Sequence, residues 1–384
     1  MVMNPRELLT RLVAFPSISG RAPTAIFDFI ADFLGDSGAT VHRFRAPGSP
    51  RENILASRGP DSTDGSGLLL SGHLDVVPAD EPGWLSPPFE LTERGGRLYA
   101  RGSADMKGWV ALACHEFARI RDDDLRHPLK LLLSSDEEVG SLGVQDFVRQ
   151  VAAGETGLLP RSVLVGEPTA GQIVRMHKGH LKGRITVAGK PAHSGFPHLG
   201  VNAIEHAGAI LAALTTLTAQ LRDERAETST FFPDCPYPVL NLATIQGGSA
   251  VNVVPERCVI DFGLRLLPGQ PTAPFIDRIR TAIDRLPEPV RRATTLEIVN
   301  DNVPMLCRPD APILKIVRGI SDAPEPVGAS YASDAGWLST LGLDCILFGP
   351  GDIRDAHRAN ESIDIAEWTA GGKTLARIID AFCR

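Results

Sequence analysis

Four short apolar segments in this 384-residue chain each run into an acid or an imidazole. Residues 68–70 lead to His73 and Asp75, 129–133 to Asp136, Glu137 and Glu138, 163–165 to Glu167, and 345–348 to His357. Segments this short and this apolar suit strands buried on both faces, as a parallel sheet requires. Helical patterns over 106–121 and 142–152 lie between them, and strands alternating with helices predict a doubly wound, mostly parallel α/β sheet. In such sheets ligands bind beyond the carboxyl ends of the strands. Residues 53–57 are expected to add a strand.

The middle of the chain breaks this rhythm. Strands are expected at 181–188, 239–245, 258–266 and 294–299, with helices at 201–221 and 273–286. That β-α-β-β-α-β order is the split, ferredoxin-like pattern. It reads as an inserted domain over 179–301, which leaves a discontinuous catalytic domain of 1–178 and 302–384. Helices at 311–320, 333–341 and 365–382 resume the first pattern. At the start, Asn4 can cap a helix that opens with Pro5, Glu7 completes a capping box, and Leu8, Leu9, Leu12 and Val13 give its apolar face. A second helix is expected over 24–34.

The formal net charge of −7 argues against a nucleic-acid or anionic-membrane partner. Six cysteines without a C-x-x-C pair point to reduced thiols and away from a thiolate zinc site. No apolar signal core opens the chain and no stretch of about 18 apolar residues occurs. The expected location is cytoplasmic.

His73 and Asp75, two apart, can face the same side of a strand end. A single histidine there is more often structural than functional, but further acids shift that balance. Asp105 sits in a turn before a helix, where an Asp could equally serve as a cap. Asp136, Glu137 and Glu138 repel one another unless cations hold them, although alone they would pass for a solvated loop. His73, Asp105, Glu138, Glu167 and His357 are the potential ligands. Imidazole and carboxylate without thiolate suit zinc, cobalt or manganese in a catalytic site. A carboxylate such as Asp105 can bridge two ions, which polarise one carbonyl and ionise a water. Asp75 is left to orient His73 through its other ring nitrogen, and Glu137 to act as general base.

Eight stretches carry a family resemblance: SGHLDVVP (71–78), GSADMKG (102–108), SSDEEVGS (134–141), VGEPT (165–169), HKGH (177–180), AHSGFPHLGVNAIE (192–205), NLATIQGGSAVNVVP (241–255) and FGPGDIRDAH (348–357). Together they resemble the M20 metallopeptidases, and most of all the acetylornithine deacetylases, over nearly the whole chain. The resemblance implies a two-metal catalytic domain, zinc-loaded with cobalt as the alternative, and an inserted lid that mediates a homodimer. It makes His73, Asp105, Glu138, Glu167 and His357 the metal ligands, Asp105 the bridge, Glu137 the base and Asp75 the orienting acid. It also implies a cis bond between Asp105 and Met106. In the lid it places His193 at the oxyanion across the dimer, and Asn252 and Arg265 at the substrate. Guanidinium suits a carboxylate clamp, though Arg265 could equally form a structural ion pair and His193 could be a surface-loop histidine.

The expected reaction is removal of the acetyl group from N-acetyl-L-ornithine in arginine biosynthesis. Ser333-Asp334-Ala335 stands where such enzymes often carry Thr-Glu-Ala, and it looks more like N-succinyl-diaminopimelate desuccinylases. Other N-acyl amino acids, dipeptides and an inactive, ligand-binding relative are the alternatives. A serine hydrolase or dinucleotide enzyme is disfavoured because neither G-x-S-x-G nor a strand-linked G-x-G-x-x-G is found.

Overall fold

A computed structural model describes residues 2–22, 24–46, 48–321 and 323–384. The chain divides into two compact units. One comprises residues up to Met176, Met305–Val327 and Ser333–Arg384; the other comprises His177–Pro304 and Gly328–Ala332.

The first unit opens as its sequence expects. Asn4 Oδ1 accepts the Glu7 N–H and Glu7 Oε2 accepts the Asn4 N–H, both at 2.9 Å, so helix Pro5–Val13 starts with a complete capping box. The central sheet runs in the order Thr40–Arg45, Glu52–Arg58, Leu129–Ser134, Leu68–His73, Ser162–Val165, Asp344–Leu347, Val174–His177, Met305–Leu306. Leu129–Ser134, Leu68–His73, Ser162–Val165 and Asp344–Leu347 pair in parallel, and all four are buried throughout. The flanking strands are antiparallel: Glu52–Arg58 pairs with both Leu129–Ser134 and the edge strand Thr40–Arg45. That edge strand was not foreseen, because only Phe44 in it is buried and no apolar pattern marks it. A separate three-stranded sheet joins Ser362–Asp364, Arg97–Tyr99 and Thr92–Arg94. Strands of three residues are too short to show a period.

Helix Lys107–Arg119 packs against Pro5–Val13 and Ile365–Cys383. Gly166 lets strand end and helix meet, since a Cβ there would lie 1.8 Å from Trp109 Cδ2. Among the described residues no helix is long and apolar enough to cross a membrane.

The second unit is a four-stranded antiparallel sheet in the order Val239–Gly247, Arg257–Arg265, His180–Ala188, Thr294–Asn302. Helices Ala203–Arg222 and Ala273–Asp284 complete the β-α-β-β-α-β order. Leu181, Ile185, Val187, Ile260 and Phe262 of the sheet form one core with Ile210, Leu214 and Ile279 of the helices. The unit also includes Gly328–Ala332, which the sequence-based boundaries assign elsewhere. The reason is local: the Lys178 N–H donates to Ala329 O at 3.0 Å.

Candidate metal centre

Parallel pairing aligns the carboxyl ends of the central strands. His73 stands opposite Ser134, and Ser71 opposite Val165. The chain therefore leaves the sheet at neighbouring points to form the turns that carry Glu137, Glu138 and Glu167. Helix Lys107–Arg119 brings Asp105 alongside. Its N-cap is Met106, without a side-chain cap, so Asp105 does not serve as the cap. The Asp105–Met106 peptide is cis, as the resemblance implied.

Asp105 presents one oxygen to each imidazole. Oδ1 lies 3.1 Å from His73 Nε2 and Oδ2 lies 3.2 Å from His357 Nε2. His357 Nε2 is also 2.9 Å from Glu138 Oε1. Two candidate ligand groups result. The donor atoms of His73, Asp105 and Glu167 lie within 4.8 Å of one another, as do those of Asp105, Glu138 and His357. Asp105 belongs to both.

The electrostatics of this cluster call for positive charge. Burial first, then the neighbouring carboxylates, raise Glu137 and Glu167 well above the ordinary range and Glu138 to about 7. Burial works the same way on Asp105, but His73 and His357 outweigh it and hold that carboxylate low. Hydrogen bonds to Asp105 and Glu138 lift His357 to about 10. Four acids concentrated beside two imidazoles are costly without cations, and the oxygen and nitrogen donor set fits divalent ions such as zinc.

Asp75 does something other than hold the ring of His73. His73 Nδ1 is 2.9 Å from the backbone oxygen of Asp75, whereas the carboxylate is 3.7 Å away. That carboxylate instead accepts the Ser19 hydroxyl at 2.7 Å and the N–H groups of Glu137 and Glu138 at 3.0 and 3.2 Å. It holds the turn from which the two glutamates diverge: Glu138 enters a ligand group and Glu137 enters neither. Asp136, Ser141 and His357 all adopt left-handed backbone, at φ of 55°, 56° and 58°. Non-glycine residues in that region concentrate where the surroundings force a functional geometry.

Two further buried acids stand near the cluster: Asp334, marked in the sequence only by the Ser333-Asp334-Ala335 departure, and Glu361, which no sequence signal marked. Asp334, 1% exposed, accepts the Ser134 hydroxyl, and burial first raises it to about 6. Glu361, also 1% exposed, accepts the backbone N–H groups of Ala104 and Asp105.

His193, Asn252 and Arg265 lie in the second unit. The first two sit on paired loops, where the Ser194 N–H donates to Asn252 O at 3.0 Å and His193 bridges to Val253. His193 Nδ1 accepts the Gly195 N–H at 3.0 Å. Arg265 is half-buried at the end of strand Arg257–Arg265.

Known proteins resemble this chain in sequence and in fold. The profile of peptidase family M20/M25/M40 matches residues 69–381. An acetylornithine deacetylase from Myxococcus xanthus is 34% identical, with 98% of this chain and 97% of that protein aligned. One from Proteus mirabilis (strain HI4320) is 31% identical, covering 98% of this chain and 96% of that protein. In structure, an M20 family metallo-carboxypeptidase from Sulfolobus solfataricus superposes with a TM-score of 0.83 at 19% identity, over 99% of both chains.

Proposed function

The chain belongs to peptidase family M20/M25/M40, and on that premise we propose that it is a two-metal amidohydrolase that deacetylates N-acetyl-L-ornithine. The observation that carries the reading is the pair of ligand groups that share Asp105.

In this proposal His73, Asp105 and Glu167 hold one divalent ion and Asp105, Glu138 and His357 the other, with zinc the natural occupant. The chemistry such ions supply is polarisation of the scissile carbonyl and a lower pKa for water. Glu137 takes the proton from the attacking water and returns it to the leaving amine nitrogen, and its burial, which raises its proton affinity, suits a group that holds a proton between the two transfers. Asp75 keeps Glu137 and Glu138 on their separate headings. His193 is proposed to donate to the developing oxyanion, Asn252 to contact the substrate and Arg265 to pair with its carboxylate. A homodimer through the second unit is part of the same reading. Its edge strand Val239–Gly247 is largely open, and Ile204, Ile245 and Val251 are exposed. The cytoplasm and arginine biosynthesis are the setting this substrate implies.

The departure at Ser333-Asp334-Ala335 keeps N-succinyl-diaminopimelate as the alternative substrate. Asp334 is sealed from solvent and accepts the Ser134 hydroxyl, so its carboxylate is engaged within the fold. Amine release from N-acetylornithine and N-succinyl-diaminopimelate, measured side by side with zinc-loaded protein, tests the reading. The acetyl substrate should be clearly preferred and a chelator should abolish turnover; preference for the succinyl substrate would overturn the assignment.

A further inference from the structure

Asp105 can serve two ligand groups only if its backbone is held still. The loop that carries it, residues 100–105, is gripped from one residue. Glu361 Oε1 accepts the N–H groups of Ala104 and Asp105 at 3.0 and 3.1 Å. Glu361 Oε2 accepts Arg101 Nη1 at 2.7 Å. The Glu361 backbone oxygen takes the Ala100 N–H at 3.2 Å and the Ser103 hydroxyl at 3.4 Å. Arg101 is itself 1% exposed and anchored by Pro78 O, Glu81 and the ring of Trp84. The loop has no slack: a Cβ on Gly108 would lie 2.3 Å from Ser103 O.

Glu361 stands outside both ligand groups. An ion pair with Arg101 would need only one of its oxygens. The other is spent on the amide of the shared ligand and the amide before it, groups that burial would otherwise leave without a partner. We propose that Glu361 is a positioning residue for the metal centre, whose buried carboxylate grips the Ala104 and Asp105 amides and so sets where the Asp105 carboxylate stands between its two groups. The inference rests on the reading of Asp105 as the shared ligand. Partners that orient metal ligands commonly alter metal affinity about 10–100-fold when removed.

The test is a zinc competition titration against a chromophoric chelator, with kcat, KM and the urea unfolding midpoint measured on the same full-length proteins. Glu361→Ala should weaken zinc binding about 10–100-fold and lower kcat more than it changes KM. Glu361→Gln keeps an acceptor oxygen for the amides and should recover part of both. Ser362→Ala, which removes the hydrogen bond from Arg97 Nε in the same small sheet, should bind zinc as the wild type does. Should Glu361→Ala fail to fold, Glu361→Asp keeps the charge but shortens the reach, and should bind zinc more weakly. Glu361 variants with wild-type zinc affinity and kcat would overturn the inference, as would a Ser362→Ala protein that loses as much affinity as Glu361→Ala. A wild-type chain that takes up no zinc would instead sink the functional reading on which it rests.

Discussion

Every residue of strand Leu68–His73 is buried, whereas strand His180–Ala188 alternates covered and open positions. The first lies in a parallel sheet enclosed on both faces and the second in an antiparallel sheet covered on one. Where both faces are closed, polar residues concentrate at the strand ends, and that is where the acids and His73 collect. Where one face stays open, charge can sit along the strand, and Lys182 and Arg184 do so. Two buried histidines of the central sheet add a second contrast. His73 is deeply buried, yet Asp105, Asp75 and Glu137 overcome that burial and raise its pKa well above normal. His177, the last residue of strand Val174–His177, is lowered to about 4, first by burial and then by the charge of Arg265. Burial depth alone therefore decides little; the charges that share the burial decide the chemistry.

The sharpest way to break this contrast is at the strand ends. Glu137→Gln should keep its bound metal, measured by elemental analysis, while kcat falls about 10²–10⁴-fold. A near-normal rate would remove Glu137 from its role. In the strands, Leu69→Ala and Leu70→Ala face opposite sides of the enclosed sheet, so each should cost about 2–5 kcal/mol in urea unfolding. Ile185→Ala, on the covered face of the second sheet, belongs in the same range.

Acid should expose the difference between the histidines. Because the folded pKa of His177 lies below its ordinary 6.5, the unfolded chain takes up a proton the folded protein refuses. Stability should thus fall as pH drops from about 6.5 to about 4, by on the order of 3 kcal/mol for this group. Urea midpoints across that window should flatten in His177→Gln; an unchanged slope would assign the loss elsewhere. The smallest effect belongs to the open face, where Thr186→Ala should stay within about 0.5 kcal/mol. A cost matching that of Ile185→Ala would mean that the second sheet is covered on both sides.

Much of this was legible in the residues themselves. The runs at 68–70, 129–133 and 163–165 identify enclosed strands because few other settings tolerate them, and the acid after each identifies a strand-end site. Asn4 and Glu7 announce their helix because a capping box is local. The edge strand Thr40–Arg45 and the three-residue strands around Arg97–Tyr99 were not legible, since their pairing depends on distant partners and leaves no period.

The sequence by itself therefore determined which strands are enclosed, which residues are candidate ligands, and the β-α-β-β-α-β order of the second unit. Each depends on hydrophobic pattern and residue chemistry over a few neighbouring positions. Only the tertiary structure decided that the Asp75 carboxylate would grip the Glu137–Glu138 turn rather than the ring of His73, and that Glu361 would hold the Asp105 amide. Those are hydrogen bonds and approaches between residues far apart in the chain, and a carboxylate does not encode which distant donor will meet it.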